Sequence, residues 1–529
     1  MLSFFATIPI IIAVILYVLP FEKTARALAG VAQAALLGFA FYVFLLCKDG
    51  DIVTRVGNYE GFLGITLRAD TLTSVFLMLT AFLFLIATVY CFNENFSRVF
   101  WFFLFIWQGL LNGVFLANDL FNIFVLIEVA TVVVAVLIMF KRDNRSMYDG
   151  MVYMMINIVA MQFFLFGAGY VYKLTGTLDM AAAAEVLAQL DKSSLVLPYG
   201  LIITAIGLKC ALMPLFSWLP KAHGTPSAPS AVSALLSGLH VKSGVYMFIR
   251  FQVVFADVAV PGFFLVVGII TGLVGALFAL SQTDMKLMLA YSTISQIGMI
   301  MIGLNVADVY SYTGGVYHIF NHALFKTALF LCAGVVTHAY GTRDITKIRG
   351  VLRRYPLVGA ATIMAVLGIV GTPFFNGSIS KYFISSVENW AIRGPILLIN
   401  LGTIIVFIKY STTLFGSVPD DFATEKADMC QQLPIIALGA LCLAGGIFGE
   451  QFIEFLFNVD VDVDAAGFLE KSGLFAVSVV AGLLIFKYFV DRHPFFKKIR
   501  GFAMSFRWMC ASIGGFLAVV LVVVKVFGV

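Results

Sequence analysis

The chain has 529 residues, of which 61% are hydrophobic and only 12% charged, about half the charged share of a soluble domain. Those figures exclude a soluble enzyme, a disordered chain and a nucleic-acid binder, and the formal net charge of +5 gains meaning only when the positive charges are assigned to sides of a membrane. A helix needs about 20 apolar residues to cross a bilayer, so an all-α polytopic membrane protein of about 14–16 transmembrane helices is predicted.

The N-terminal run 1–20 is apolar from its second residue and lacks the basic region and small-residue cleavage site of a secretory signal. It reads as a retained first span. Later spans fall near 27–47, 69–92, 99–117, 120–140, 150–172, 196–216, 230–250, 261–281, 285–305, 312–337, 356–392, 396–415, 433–449, 472–490 and 508–527. The stretch 356–392 contains Pro373 and Asn376 and reads as one broken span. Lysine and arginine crowd the loops that follow odd-numbered spans, as in Arg343, Lys347, Arg349, Arg353, Arg354 and Lys426, then Arg492, Lys497, Lys498, Arg500 and Arg507. Alternate loops hold far fewer, and one of them carries Asp460, Asp462 and Asp464. The positive-inside rule then predicts a multi-pass protein of the cell membrane with both termini outside.

The seven cysteines are scattered with no C-x-x-C pair, which removes iron–sulfur and structural zinc sites of the usual spacing. No H-E-x-x-H, P-loop or helix-opening G-x-G-x-x-G occurs either. No cofactor, metal site or catalytic centre is therefore expected in this chain. In an enzyme it would serve as a proton-pumping subunit of a redox-driven translocase.

The informative residues are the charges inside spans: Glu128, Lys209, His240, Lys242, His318, His322, Lys326 and Lys381. A charge at the bilayer centre costs about 2.5–3.5 kcal/mol on insertion scales, so such groups are rare and mostly functional. Those near a span end, such as Lys525, snorkel to the interface. Glu128 is the only ionisable group of its span beyond Asp119, and Lys209 is the cation that could keep it ionised. The pair reads as a switch, with a purely structural ion pair as the alternative. His318, His322 and Lys326 are spaced four apart, so they drift only about 40° per step along one helical face. Such a ladder suits a proton relay, since a neutral imidazole accepts on one nitrogen and donates from the other. A zinc site lacks a local third ligand; satisfied core histidines are the plainer alternative. Pro214 and Pro373 each interrupt a span near a buried lysine, and discontinuous helices in corresponding halves point to a transport site.

The run GLKCALMPLFSWLPKAHGTPSAPSAVSALLSGLHVKSGVYMFIR resembles the central signature of the antiporter-like subunits shared by Mrp-type Na+/H+ antiporters (their D-like members), membrane-bound hydrogenases and respiratory complex I. NDLFNIFVLIEVATV is similar to the acidic fifth helix of that family, DMKLMLAYSTISQIGMIMIGL and YHIFNHALFKTALFLCAGVV to its tenth and eleventh, and GTPFFNGSISKYF to its broken twelfth. The resemblance runs in order from about residue 60 to 415. It implies that Glu128 and Lys209 are the family's glutamate–lysine pair and that Lys242 is the central lysine of helix eight. It also implies that His318, His322 and Lys326 belong to the histidine-bearing helix eleven and Lys381 to the terminal site of helix twelve. Lys381 departs from the glutamate that the D-like members often carry there, and His240 has no counterpart. The implied organisation is helices 1–3 over residues 1–97, a five-helix repeat over 98–255 and a second, inverted one over 258–417; the last two spans depart from the family by extending beyond its fourteen-helix core, and the C-terminal helices over 418–529 are expected to dock a neighbouring subunit.

The expected function is proton translocation through a buried Glu/Lys/His relay within a multi-subunit complex, with other membrane subunits as partners, H+ and Na+ as the ions and the lipid bilayer as surroundings. The complex would be a cation/proton antiporter or a redox-driven pump. A self-sufficient Na+/H+ carrier is the alternative, and no nucleic acid is involved.

Overall fold

The computed structural model describes residues 1–20, 22–58, 64–224, 228–418, 427–490 and 493–529; Lys426 and Arg492 lie outside them. The helices in chain order are α1 Phe4–Val18, α2 Glu22–Cys47, α3 Thr71–Tyr90, α4 Arg98–Leu116, α5 Leu120–Ile138, α6 Asn144–Thr175, α7 Met180–Leu187 and α8 Lys192–Lys209. They continue with α9 Trp218–Gly224, α10 Ser230–Leu235, α11 Val241–Val254, α12 Pro261–Ser281, α13 Met285–Asn305, α14 Val309–Ala339, α15 Val351–Arg354, α16 Pro356–Val370 and α17 Asn376–Ile384. The last are α18 Trp390–Ser411, α19 Met429–Ile447, α20 Gly449–Phe457, α21 Ala465–Ile485, α22 Pro494–Arg500 and α23 Phe506–Phe527. A short antiparallel hairpin, β1 Ile52–Arg55 with β2 Thr66–Ala69, precedes α3.

Among the described residues, thirteen of the spans are long and apolar enough to cross a membrane, α10 and α11 counting as one through a π-helical turn at Leu236–His240. With the shorter α1, the broken α16–α17 and α8, every expected span has its helix. The chain is an all-α multi-pass membrane protein.

Several helices start earlier than their hydropathy suggests, and aspartate is the reason. Asp143, Asp428 and Asp464 accept backbone N–H bonds as N-caps of α6, α19 and α21, satisfying donors that the helix leaves unpaired and complementing its positive end. The acidic loop thus ends as a cap, which moves the start of the 472–490 span back to Ala465.

The chain divides into two compact units. The first comprises Met1–Pro229, Leu239–Val260 and Met504–Val529. Within it α1 packs on α4, α4 on α5, α5 on α6, and α6 on α8, with α11 and the C-terminal α23 also against α8. The second comprises Ser230–Gly238 and Pro261–Ala503. There α12 packs on α13, α13 on α14, α14 on α10, α16, α17 and α19, and α18 on α12 and α21.

Both units carry the same local signature. In the first, Leu120 N–H bonds to Leu178 O and Met180 N–H to Asn118 O, with Asp119, Asp143 and Asp179 as caps. In the second, Met285 N–H bonds to Arg343 O and Ile345 N–H to Thr283 O, and Asp284 and Asp308 cap α13 and α14. Each residue of the second set follows its counterpart at one constant offset along the chain.

Candidate functional site

In the first unit α8 stops at Lys209. Ala211 adopts a left-handed φ of 55°, and Leu212 N–H reaches back to Gly207 O. This is a Schellman ending, which closes carbonyls orphaned at a helix C-terminus. Trp218 Nε1 donates to Leu208 O at 2.7 Å and takes up another. Pro214 follows, heading a 3-10 turn at Leu215–Ser217. The break therefore leaves Lys209 on the last turn of α8, fully inside the protein at 3% exposure.

Lys209 Nζ donates to Thr131 Oγ1 at 3.0 Å. Thr131 lies one turn along α5 from Glu128, which is within electrostatic reach of Lys209 but forms no ion pair with it among the described residues. Glu128 Oε1 is buried without a hydrogen bond. In place of the expected direct pair, a neutral hydroxyl holds the ammonium, and that hydroxyl in turn donates to Ile127 O at 2.8 Å rather than to Glu128. Lys242 is buried on α11. Two residues on, a Cβ at Gly244 would stand 2.7 Å from the Lys209 backbone carbon, so only glycine lets α11 approach the end of α8 so closely.

His240 has a defined place. Trp107 Nε1 donates to its Nδ1 at 3.4 Å, and Tyr153 OH meets its Nε2 at 3.1 Å. An indole N–H can only donate, so Nδ1 is the acceptor and Nε2 carries the ring proton. The imidazole is pinned at both nitrogens.

In the second unit α14 carries His318, His322 and Lys326, all buried. The two imidazole centroids are 6.4 Å apart. His318 Nε2 meets Gln296 Oε1 at 3.0 Å and Nδ1 meets Ser380 Oγ at 2.8 Å. The amide oxygen accepts, so Nε2 donates and Nδ1 accepts from the serine, the arrangement that passes a proton through a neutral ring. Lys326 Nζ donates to Leu289 O and Ser292 Oγ at 2.9 and 2.6 Å.

The second break has the same ending as the first. Gly371 takes φ 82°, Thr372 N–H bonds to Leu367 O, and Pro373 and Phe374 (φ 69°) complete the gap before α17. Lys381 on α17 donates to Ile369 O, a carbonyl in the last turn of α16, at 2.6 Å and to Asn400 Oδ1 at 2.7 Å. Ser380, beside it, is the residue bonded to His318. The fold thus gathers His318, His322, Lys326 and Lys381 in one unit and Glu128, Lys209 and Lys242 in the other. Sequence reasoning passed over Thr131, Gln296, Ser380 and Asn400, because a neutral polar side chain in an apolar span gives no charge signal.

A curated relative, the D subunit of the Na+/H+ antiporter of Alkalihalophilus pseudofirmus, is 29% identical over 465 residues, covering 84% of this chain and 93% of that protein. The N subunit of the NADH-quinone oxidoreductase of Desulforudis audaxviator is 30% identical over 425 residues, covering 74% and 83%. Among solved structures, a chain of the Mrp complex from Dietzia sp. shares the fold with a TM-score of 0.80 at 21% identity, covering 94% of this chain and 99% of that one. Residues 117–408 match the family described as NADH:quinone oxidoreductase/Mrp antiporter, TM. The chain belongs to that family of membrane subunits.

Proposed function

We propose that this chain is the proton-translocating, antiporter-like subunit of a multi-subunit complex of the cell membrane, either a Na+/H+ antiporter or a redox-driven pump. Its similarity to the D subunit of a Na+/H+ antiporter over most of both chains supports the first form, and its similarity to the N subunit of an NADH-quinone oxidoreductase supports the second. The observation that carries the reading is a set of buried lysines and histidines in which Lys209, His318, Lys326 and Lys381 are held by neutral oxygens, with Lys209 and Lys381 beside the two helix breaks. Burying a charge is costly unless it is compensated, so a chain that keeps these groups in its spans uses them.

In this reading Glu128, Lys209 and Lys242 load and release a proton in the first repeat, 98–255, and His318, His322, Lys326 and Lys381 carry one in the second, 258–417. Five spans per repeat is an odd number, so consecutive repeats run with inverted topology. The recurring cap pattern supports two such repeats. Both termini lie outside the cell, following the placement of the basic loops.

The test is dissipation of a pH gradient in vesicles containing the whole complex. Glu128→Gln removes the carboxylate that opposes Lys209 and stops proton movement while the complex still assembles. Wild-type rates in that variant would overturn the reading.

A further inference from the structure

The second unit holds a cationic side chain that the relay does not use, and its place suggests a role. Lys471 lies near the start of α21, a span beyond the repeats. Its Nζ donates to Tyr382 O at 2.7 Å and lies 4.1 Å from the Tyr382 ring centroid. Tyr382 is the neighbour of Lys381 in α17. A cavity that opens at the protein surface is lined by both lysines, with Arg393 and Asn400 from α18 and Ser385 from the end of α17.

Resting on the function proposed above, we infer that Lys471 is the last proton-exchanging group of the path, taking the proton from Lys381 and delivering it to the outside through this cavity. Lys381 is buried, anchored by Ile369 O and Asn400, and needs a partner that solvent can reach. Lys471 is half-buried at the same opening. The groups facing it are Lys381 and Tyr382 from α17, Arg393 from α18, and Glu470 on its own helix, which Asp464 caps. A guanidinium does not serve as a proton donor, whereas an amine can release a proton. Arg393 lies 3.6 Å from Glu470, which balances the fixed charge and leaves the two lysines as the exchangeable pair.

The step balances simply. The Lys381 ammonium gives a proton, through water entering the cavity, to a neutral Lys471 amine. Lys381 becomes a neutral amine, Lys471 an ammonium, and loss of that proton to bulk solvent returns Lys471 to its starting form.

Arginine separates proton exchange from structure, because it keeps the charge and can keep the bond to Tyr382 O but cannot deprotonate. The complex containing Lys471→Arg, Lys471→Gln, Lys471→His or Lys381→Gln is purified whole and reconstituted in proteoliposomes. Proton translocation is then followed with a pH-sensitive dye across a pH series. The Arg and Gln variants should each slow translocation by about a hundredfold or more, the lower end of what a positioned proton-transfer group contributes. The His variant should retain translocation with its pH profile moved to lower pH. Wild-type rates in Lys471→Arg would show that Lys471 only fastens α21 and would overturn the inference. If the arginine or glutamine complex does not assemble, the histidine variant decides, and an unmoved pH profile there also overturns it. Loss of rate in Lys381→Gln with full rate in Lys471→Arg refutes this inference alone. Wild-type rates in Lys381→Gln as well refute the reading on which it rests.

Discussion

At the scale of single residues, the recurring device is a buried ammonium or imidazole held by oxygen atoms that carry no charge. Thr131 serves Lys209, Ser292 and Leu289 O serve Lys326, and Asn400 and Ile369 O serve Lys381. A carboxylate partner would fix the protonated form strongly, whereas a neutral acceptor supports the ammonium and leaves its deprotonation accessible. In the proposed relay, a proton would then move without breaking a tight ion pair at each step. His318 and His322 are consecutive members of one ladder. His318→Ala and His322→Ala should each slow translocation, and the double variant should be little slower than the worse single one, because a path interrupted once is already interrupted. Rates measured in reconstituted complex check this; two losses that multiply would identify the histidines as independent packing residues.

At the scale of elements, the spans were legible because about 20 consecutive apolar residues is a strong signal, and the two broken spans were legible from Pro214 and Pro373. The helix starts were not, since Asp464 reads as a loop charge until its carboxylate is seen to cap α21, as Asp143 caps α6. Nor was the anchorage of His240, whose partner Trp107 is 133 residues away in sequence. The shared Schellman ending of α8 and α16 was equally hidden, because its left-handed residue is Gly371 in one and Ala211 in the other. An L-residue in that region costs roughly 1–2 kcal/mol that glycine avoids. Ala211→Gly should therefore raise the thermal unfolding midpoint of the complex in detergent, by an amount equivalent to about 1 kcal/mol, with Lys209 left in place and translocation retained. A lower midpoint would mean that the Ala211 methyl, buried at 0% exposure, contributes more by packing than the backbone loses.

At the scale of the whole molecule, the question is what drives the path. Lys209, Lys326 and Lys381 each have a neutral hydrogen-bond acceptor. An equilibrium between two protonation arrangements shifts only if something binds one better than the other, and a hydrogen-bonded ladder contains no such bias of its own. The bias must come from subunits packed against the chain, acting on a two-state element such as the Lys209 end of α8. The surfaces available for docking include α21, whose Leu469 and Val477 are 74% and 65% exposed, and the basic stretch Lys497, Lys498 and Arg500 on α22 with Arg507 at the start of α23. The expected outcome is that the isolated chain, reconstituted alone in liposomes, shows no sodium-driven or redox-driven proton movement, while the intact complex does. Proton flux followed with an internal pH dye, with and without an imposed sodium gradient, decides between them. Sustained sodium/proton exchange by the lone chain would mean that the bias lies within its own helices and would make it a carrier in its own right.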